Sequence, residues 1–134
     1  MLWRCMNIGR KRILVVDDLH DSAMSLALVL QRLGHTAEFV TDSWKALEVA
    51  RRLRPELVFL DIGMPEINGY ALARMLRQEF GFEAVKIVAL TAWDRDEDRA
   101  ESRRAGFDAH VAKPADPETI ESILKTVFTA GPAT

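Results

Sequence analysis

The feature that most restricts this chain is a strict alternation of short β-rich runs with apolar stripes at helical spacing. The runs are Ile13–Val16, Thr36–Val40, Leu57–Leu60, Lys86–Leu90 and Ala109–Ala112. Three of them are almost continuously apolar, the pattern of strands covered on both faces within a parallel sheet. Ala23, Leu26, Ala27, Leu30 and Leu33 form the first helical stripe, and Gly34 supplies its stop. Ala46, Val49, Ala50 and Leu53 form the second, opened by a cap at Asp42 or Ser43 and ended before Pro55. Leu72, Met75, Leu76 and Phe80 form the third. A fourth helix is expected over Asp94–Ala105, ended by Gly106. Ile120, Ile123, Leu124, Val127 and Phe128 form the last, with Asp116 as cap and Pro117 in the first turn. Five strand–helix units in this order predict an α/β fold with a central parallel sheet. Right-handed crossovers then put helices on both faces.

Composition fits one such domain. The chain has 134 residues, of which 49% are hydrophobic and 28% charged, enough to bury a core without a disulfide or a metal. A net charge of -2 argues against a dedicated nucleic-acid binder. Cys5 is the only cysteine, so no internal disulfide forms. Ser22–Gln31, the longest uncharged stretch of the body, is far too short to cross a membrane. The N-terminus carries Arg4, Arg10, Lys11 and Arg12 but no apolar segment of the secretory kind. The expectation is a cytoplasmic protein with a solvated tail at 1–10, one domain at 11–129 and a short tail at 130–134. No DNA-binding output domain is expected in the few residues after the last stripe.

The fourth helix stands apart. It has almost no apolar stripe, and its neighbours four residues apart are like-charged: Asp94/Asp98, Arg95/Arg99, Glu97/Glu101 and Arg99/Arg103. Each such pair costs a few tenths of a kcal/mol. Pairs three apart, such as Asp96/Arg99, offset part of this. A marginal, exposed helix suited to rearrangement is expected there.

Ligand sites in parallel α/β sheets lie beyond the carboxyl ends of the strands. Asp17 and Asp18 follow the first strand, Asp61 the third, Thr91 the fourth and Lys113 the fifth. Three close carboxylates repel one another unless a cation intervenes. Hard oxygen ligands with no His or Cys cluster suit Mg²⁺ or Mn²⁺ rather than zinc. An aspartate can act as a nucleophile toward phosphorus. Phosphoryl transfer needs mainly positioning and charge stabilisation, which a divalent ion, the Lys113 ammonium and the Thr91 hydroxyl would supply.

The motifs Ile13-Leu-Val-Val-Asp17-Asp18 with Asp21, Leu60-Asp61-Ile-Gly-Met64-Pro65-Glu-Ile-Asn-Gly69, Leu90-Thr91-Ala92 and Ala112-Lys113-Pro114 together resemble the receiver domain of two-component response regulators, as in the single-domain chemotaxis receivers. The resemblance spans about residues 10–129. It implies a flavodoxin-like (βα)5 three-layer sandwich with strand order 2-1-3-4-5. By that resemblance Asp61 is the phospho-acceptor, Asp18 a direct Mg²⁺ ligand and Asp17 an acid that holds the ion through water. Gly63 offers a backbone carbonyl to the ion, Thr91 follows the phosphoryl group, and Lys113 pairs with it. Lys113–Pro114 matches the family's cis peptide. Met64-Pro65 and Gly69 match the loop and turn after the acceptor strand. His110 stands where the family often has an aromatic switch residue, with an ordinary half-exposed strand residue as the alternative. Gly63 opens the acceptor site, while Trp93 shields it and would report metal binding or phosphorylation by its fluorescence.

The resemblance further implies a histidine kinase or histidine phosphotransfer protein as phosphodonor. The output is an altered face built from the 94–105 segment, the fifth strand and the last helix, read by an output protein. Such a domain catalyses only its own phosphorylation and dephosphorylation and is not a turnover enzyme. A phosphorylation-independent interaction module on the same fold is the alternative, disfavoured because every key residue is present. An Asp-nucleophile phosphatase of the haloacid-dehalogenase type needs a second acid two residues after the first-strand nucleophile, and position 19 is leucine. No Gly-x-Gly-x-x-Gly or Walker loop supports nucleotide binding.

Overall fold

The computed structural model describes residues 9–63, 69–91, 106–113 and 115–129. The expected helix over 94–105, the Met64-Pro65 loop, Trp93 and Pro114 lie outside the described residues. The elements in chain order are β1 (Arg12–Val16), α1 (His20–Arg32), β2 (Thr36–Val40), α2 (Ser43–Leu53), β3 (Leu57–Asp61), α3 (Gly69–Ala84), β4 (Lys86–Thr91), β5 (Ala109–Ala112) and α4 (Pro117–Thr129). The five strands form one parallel sheet in the order β2-β1-β3-β4-β5, as expected.

Strand alternation explains the three layers. Leu14, Val16, Val58, Leu60, Ile87 and Ala89 pack with Ala46, Ala50, Leu72 and Leu76, so α2 and α3 cover one face. Ile13, Val15, Leu57, Phe59, Val88 and Leu90 pack with Ala23, Leu30, Ile120 and Leu124, so α1 and α4 cover the other. β1, β3 and β4 have neighbours on both sides, which is why their residues read as unbroken apolar runs.

The helix ends follow local chemistry. Gly34, at φ +100°, closes α1: its N–H donates to the Gln31 carbonyl, and the His35 N–H donates to that of Leu30. Asp42 caps α2 by accepting the Trp44 N–H at 2.9 Å, and Asp116 caps α4 by accepting the Thr119 N–H at 2.8 Å. At Gly81 (φ +83°) α3 kinks, directly after the last residue of its apolar stripe.

Two features go beyond the expectation. Asp61 and Thr91 are the last residues of β3 and β4 rather than the first residues after them, because the ladder continues one step further. Asp61 is in register with Leu90, and Thr91 with Ala112. Arg77, on α3, is buried instead of solvated. Its guanidinium donates to the Gly106 carbonyl at 2.6 and 2.9 Å, to the Asp108 carboxylate at 2.6 Å and to the carbonyl of Val85. Asp108 also accepts the Ile87 N–H at 2.8 Å, so this arginine fixes the entry to β5, the strand that delivers Lys113.

Candidate functional site

The carboxyl ends of β1, β3, β4 and β5 converge. Asp17 leaves β1 with its N–H on the Val40 carbonyl at 3.1 Å, and its side chain is fully buried. Its Oδ1 accepts the Leu19 N–H at 3.0 Å. Its Oδ2 accepts the Ser22 hydroxyl at 2.8 Å and lies 2.7 Å from the Lys113 ammonium. Asp61 Oδ1 accepts the Gly63 N–H at 2.8 Å, while its Oδ2 accepts from Lys113 Nζ at 3.1 Å. Lys113 thus bridges the two buried acids. Its own N–H donates to the Thr91 carbonyl at 2.8 Å, so the ladder between β4 and β5 positions the ammonium.

Asp18 is exposed at the mouth. One carboxylate oxygen each from Asp17, Asp18 and Asp61 lies within 4.8 Å of the others. Thr91 is buried at the end of β4. His110 is half-buried on β5, opposite Ala89 and three residues before Lys113. The sheet therefore brings Asp17, Asp18, Asp61, Gly63, Thr91 and Lys113 to one edge, with His110 one strand face away from Val111 and the α1–α4 layer.

The electrostatics divide the two buried acids. Burial pushes the Asp17 carboxyl up, but the Lys113 ammonium, the Leu19 N–H and the Ser22 hydroxyl outweigh it and hold Asp17 below the ordinary carboxylate range. At Asp61 burial wins, and the Gly63 N–H and Lys113 reverse only part of the rise. Burial also works against the Lys113 charge, but its two acidic partners overcome this and raise it.

This donor set fits a hard divalent cation. The cluster is all carboxylate, with no His or Cys in it among the described residues. Three ionised acids against one ammonium leave two negative charges, which a divalent ion would balance.

Ser22 was not legible as part of the site. It is an ordinary first-turn serine in sequence, and only the fold brings its hydroxyl onto Asp17. A cavity of about 320 Å³ opens beside Lys113 on the α1 side, lined by Asp21, Ser22, Ser25, Val29 and Leu90 among others. Among the described residues no helix is long and apolar enough to cross a membrane.

Comparison with known proteins bears on this geometry. Protein PilH of Pseudomonas aeruginosa is 31% identical over 116 residues, covering 87% of this chain and 93% of its own length. The DNA-binding response regulator MtrA of Mycolicibacterium smegmatis is 39% identical over 115 residues, which are 86% of this chain but 49% of MtrA. The chain therefore spans about half the length of that relative. The chemotaxis protein CheY4 of Vibrio cholerae, crystallized at low pH, superposes with a TM-score of 0.83 at 26% identity, over 89% of this chain and 99% of its own. The sequence profile of the response regulator receiver domain matches residues 13–125, which take in every strand but the first residue of β1 and every acid of the cluster. On that match and these relatives, the chain belongs to the response regulator receiver domains of two-component systems.

Proposed function

We propose that Asp61 accepts a phosphoryl group from a histidine kinase or a histidine phosphotransfer protein. The observation that carries this reading is the Lys113 ammonium, 2.7 Å from Asp17 and 3.1 Å from Asp61 at the end of the sheet. An oxygen of the Asp61 carboxylate forms the new O–P bond as the N–P bond of the donor phosphohistidine breaks, and the imidazole leaves with the electron pair. The chain's own residues do the positioning. The Gly63 N–H orients one oxygen of Asp61, and Lys113 screens its charge from Asp17. Ser22 and the Leu19 N–H hold Asp17 in its ionised form. The Thr91 hydroxyl and the Lys113 ammonium would donate to the transferred oxygens. Asp17, Asp18, Asp61 and the Gly63 carbonyl would hold Mg²⁺, with Mn²⁺ as a substitute, and the ion would supply positive charge to the phosphoryl oxygens.

Loss of phosphate is the attack of water on the same phosphorus, which restores Asp61. The domain turns over no other substrate. The added charge at Asp61 draws Thr91 toward it, and His110 on β5 follows, so that the face formed by the 94–105 segment, β5 and α4 changes its affinity for an output protein.

A phosphorylation-independent interaction module predicts no need for metal. Mg²⁺ titration followed by calorimetry separates the two. Binding in the wild type, abolished in Asp18→Asn and weakened in Asp17→Asn, supports the phosphate reading. An absence of Mg²⁺ binding by the intact chain would turn the assignment toward the interaction module.

A further inference from the structure

At the end of β1 away from the acids, the chain is fastened by one histidine. His35 is 5% exposed and sits just past α1. Its Nδ1 accepts the Lys11 backbone N–H at 3.0 Å. The Lys11 carbonyl in turn accepts the Thr36 N–H at 2.9 Å. The Lys11 ammonium lies 3.7 Å from the Glu56 carboxylate and 4.6 Å from the centre of the Phe128 ring. Lys11 therefore ties together the end of α1, the entry to β3 and the last turn of α4.

The chemistry of this contact has a built-in condition. A ring nitrogen that accepts a hydrogen bond carries no proton, and an imidazolium has two donors and no acceptor. Protonation of Nδ1 would set one N–H against another in a site with little water. The charged groups that face the ring are Arg10 and Lys11 before β1 and Glu56 before β3. The last helix meets the clasp with the uncharged Phe128 ring.

We propose that His35 is a proton-sensitive latch: uptake of one proton at Nδ1 releases the Lys11 main chain from the end of α1 and, with it, the Lys11 ammonium from Glu56 and Phe128. Burial first, then Lys11 and Arg10, holds the imidazole below its ordinary value, with Glu56 opposing them weakly. The latch is closed at neutral pH and opens on acidification. Because α4 is a wall of the sheet's α1–α4 layer, opening loosens the terminal turn of that helix without touching the acid cluster. The latch holds whether or not Asp61 is phosphorylated.

Amide exchange and imidazole ¹⁵N shifts, measured on the intact chain between about pH 8 and about pH 5, test this. The Lys11 amide protection factor, corrected for intrinsic exchange, is expected to fall about tenfold per pH unit as pH drops from the ordinary imidazole value of about 6.5 toward the lower His35 midpoint, the slope of a single proton, and to level off beneath that midpoint. In His35→Asn the Oδ1, attached to Cγ as Nδ1 is, accepts at every pH, and the protection should be flat. The same fall in His35→Asn would overturn the latch. So would a His35 titration in the wild type that leaves Lys11 protection unchanged, a comparison that needs no variant to fold.

Discussion

Gly69 opens α3 directly against the acceptor strand, and Gly69→Ala puts a number on that approach. A Cβ at position 69 would lie 2.5 Å from Ile62 Cα and 2.8 Å from the Asp61 carbonyl oxygen. Both are backbone atoms, so no rotamer change relieves the clash. Ordinary contact between carbons is about 3.5–4.0 Å, so the first turn of α3 must retreat by about 1 Å. Overpacking of this kind costs about 1–3 kcal/mol, and the better helix propensity of alanine returns less than about 1 kcal/mol at a first-turn position. The net loss is about 1–2 kcal/mol. For 134 residues the unfolding entropy is about 0.28 kcal/mol/K, so the midpoint should drop by about 4–7 °C. Thermal unfolding followed by far-UV circular dichroism measures it. Gly63→Ala is the control: its Cβ would sit 3.5 Å from Asp61 Oδ1, an ordinary contact, and its stability should stay within about 0.5 kcal/mol of wild type. A Gly69→Ala chain that unfolds at or above the wild-type temperature, or a Gly63→Ala chain equally damaged, would refute the reasoning.

Three further outcomes are expected. Lys113→Met leaves Asp17 and Asp61 without their shared cation and should cost about 3 kcal/mol at neutral pH by urea unfolding. Asp17 is held below its ordinary value partly by Lys113, so the stability it gives the wild type is present above about pH 3.8 and lost as pH falls through the folded value; the gap between the two proteins should close in acid. Asp61→Asn should do the reverse and raise the thermal midpoint at neutral pH. The folded value of Asp61 is raised, so its ionisation weakens the fold as pH climbs past 3.8, and the advantage of the variant should vanish below that pH. Arg77→Met strands the Gly106 carbonyl and the Asp108 carboxylate, and should cost about 3–5 kcal/mol in urea, with the earliest loss of amide protection at Ile87 and Asp108.

The residues differ in how openly they announce their roles. Ile13–Val16 and Leu57–Leu60 are apolar throughout because each strand has a neighbour on both sides and a helix on both faces, a condition written into the run itself. Asp42, Gly34 and Asp116 could be read as helix ends because capping is local chemistry between residues a few positions apart. The acids and Lys113 were legible from their place after successive strands, since parallel topology carries strand ends to one edge. Arg77 was not, because Gly106 and Asp108, which draw it inward toward β5, lie 29 and 31 residues away and its local setting is that of any solvated helical base. His35 and Ser22 were missed for the same reason: each owes its role to one contact, with Lys11 and with Asp17, that no spacing rule encodes. The extra strand residue at Asp61 and Thr91 depends on ladder bonds to neighbouring strands, which apolar patterning does not register.

The central claim is that Asp61, held between the Gly63 N–H and the Lys113 ammonium, is a phosphoryl acceptor. Intact mass after incubation with a phosphorylated histidine phosphotransfer protein and Mg²⁺ tests it most directly. The account predicts the gain of one phosphoryl group, lost in Asp61→Asn and lost when EDTA removes the metal. A wild-type mass that never changes, or a phosphoryl group that Asp61→Asn still acquires, would contradict it.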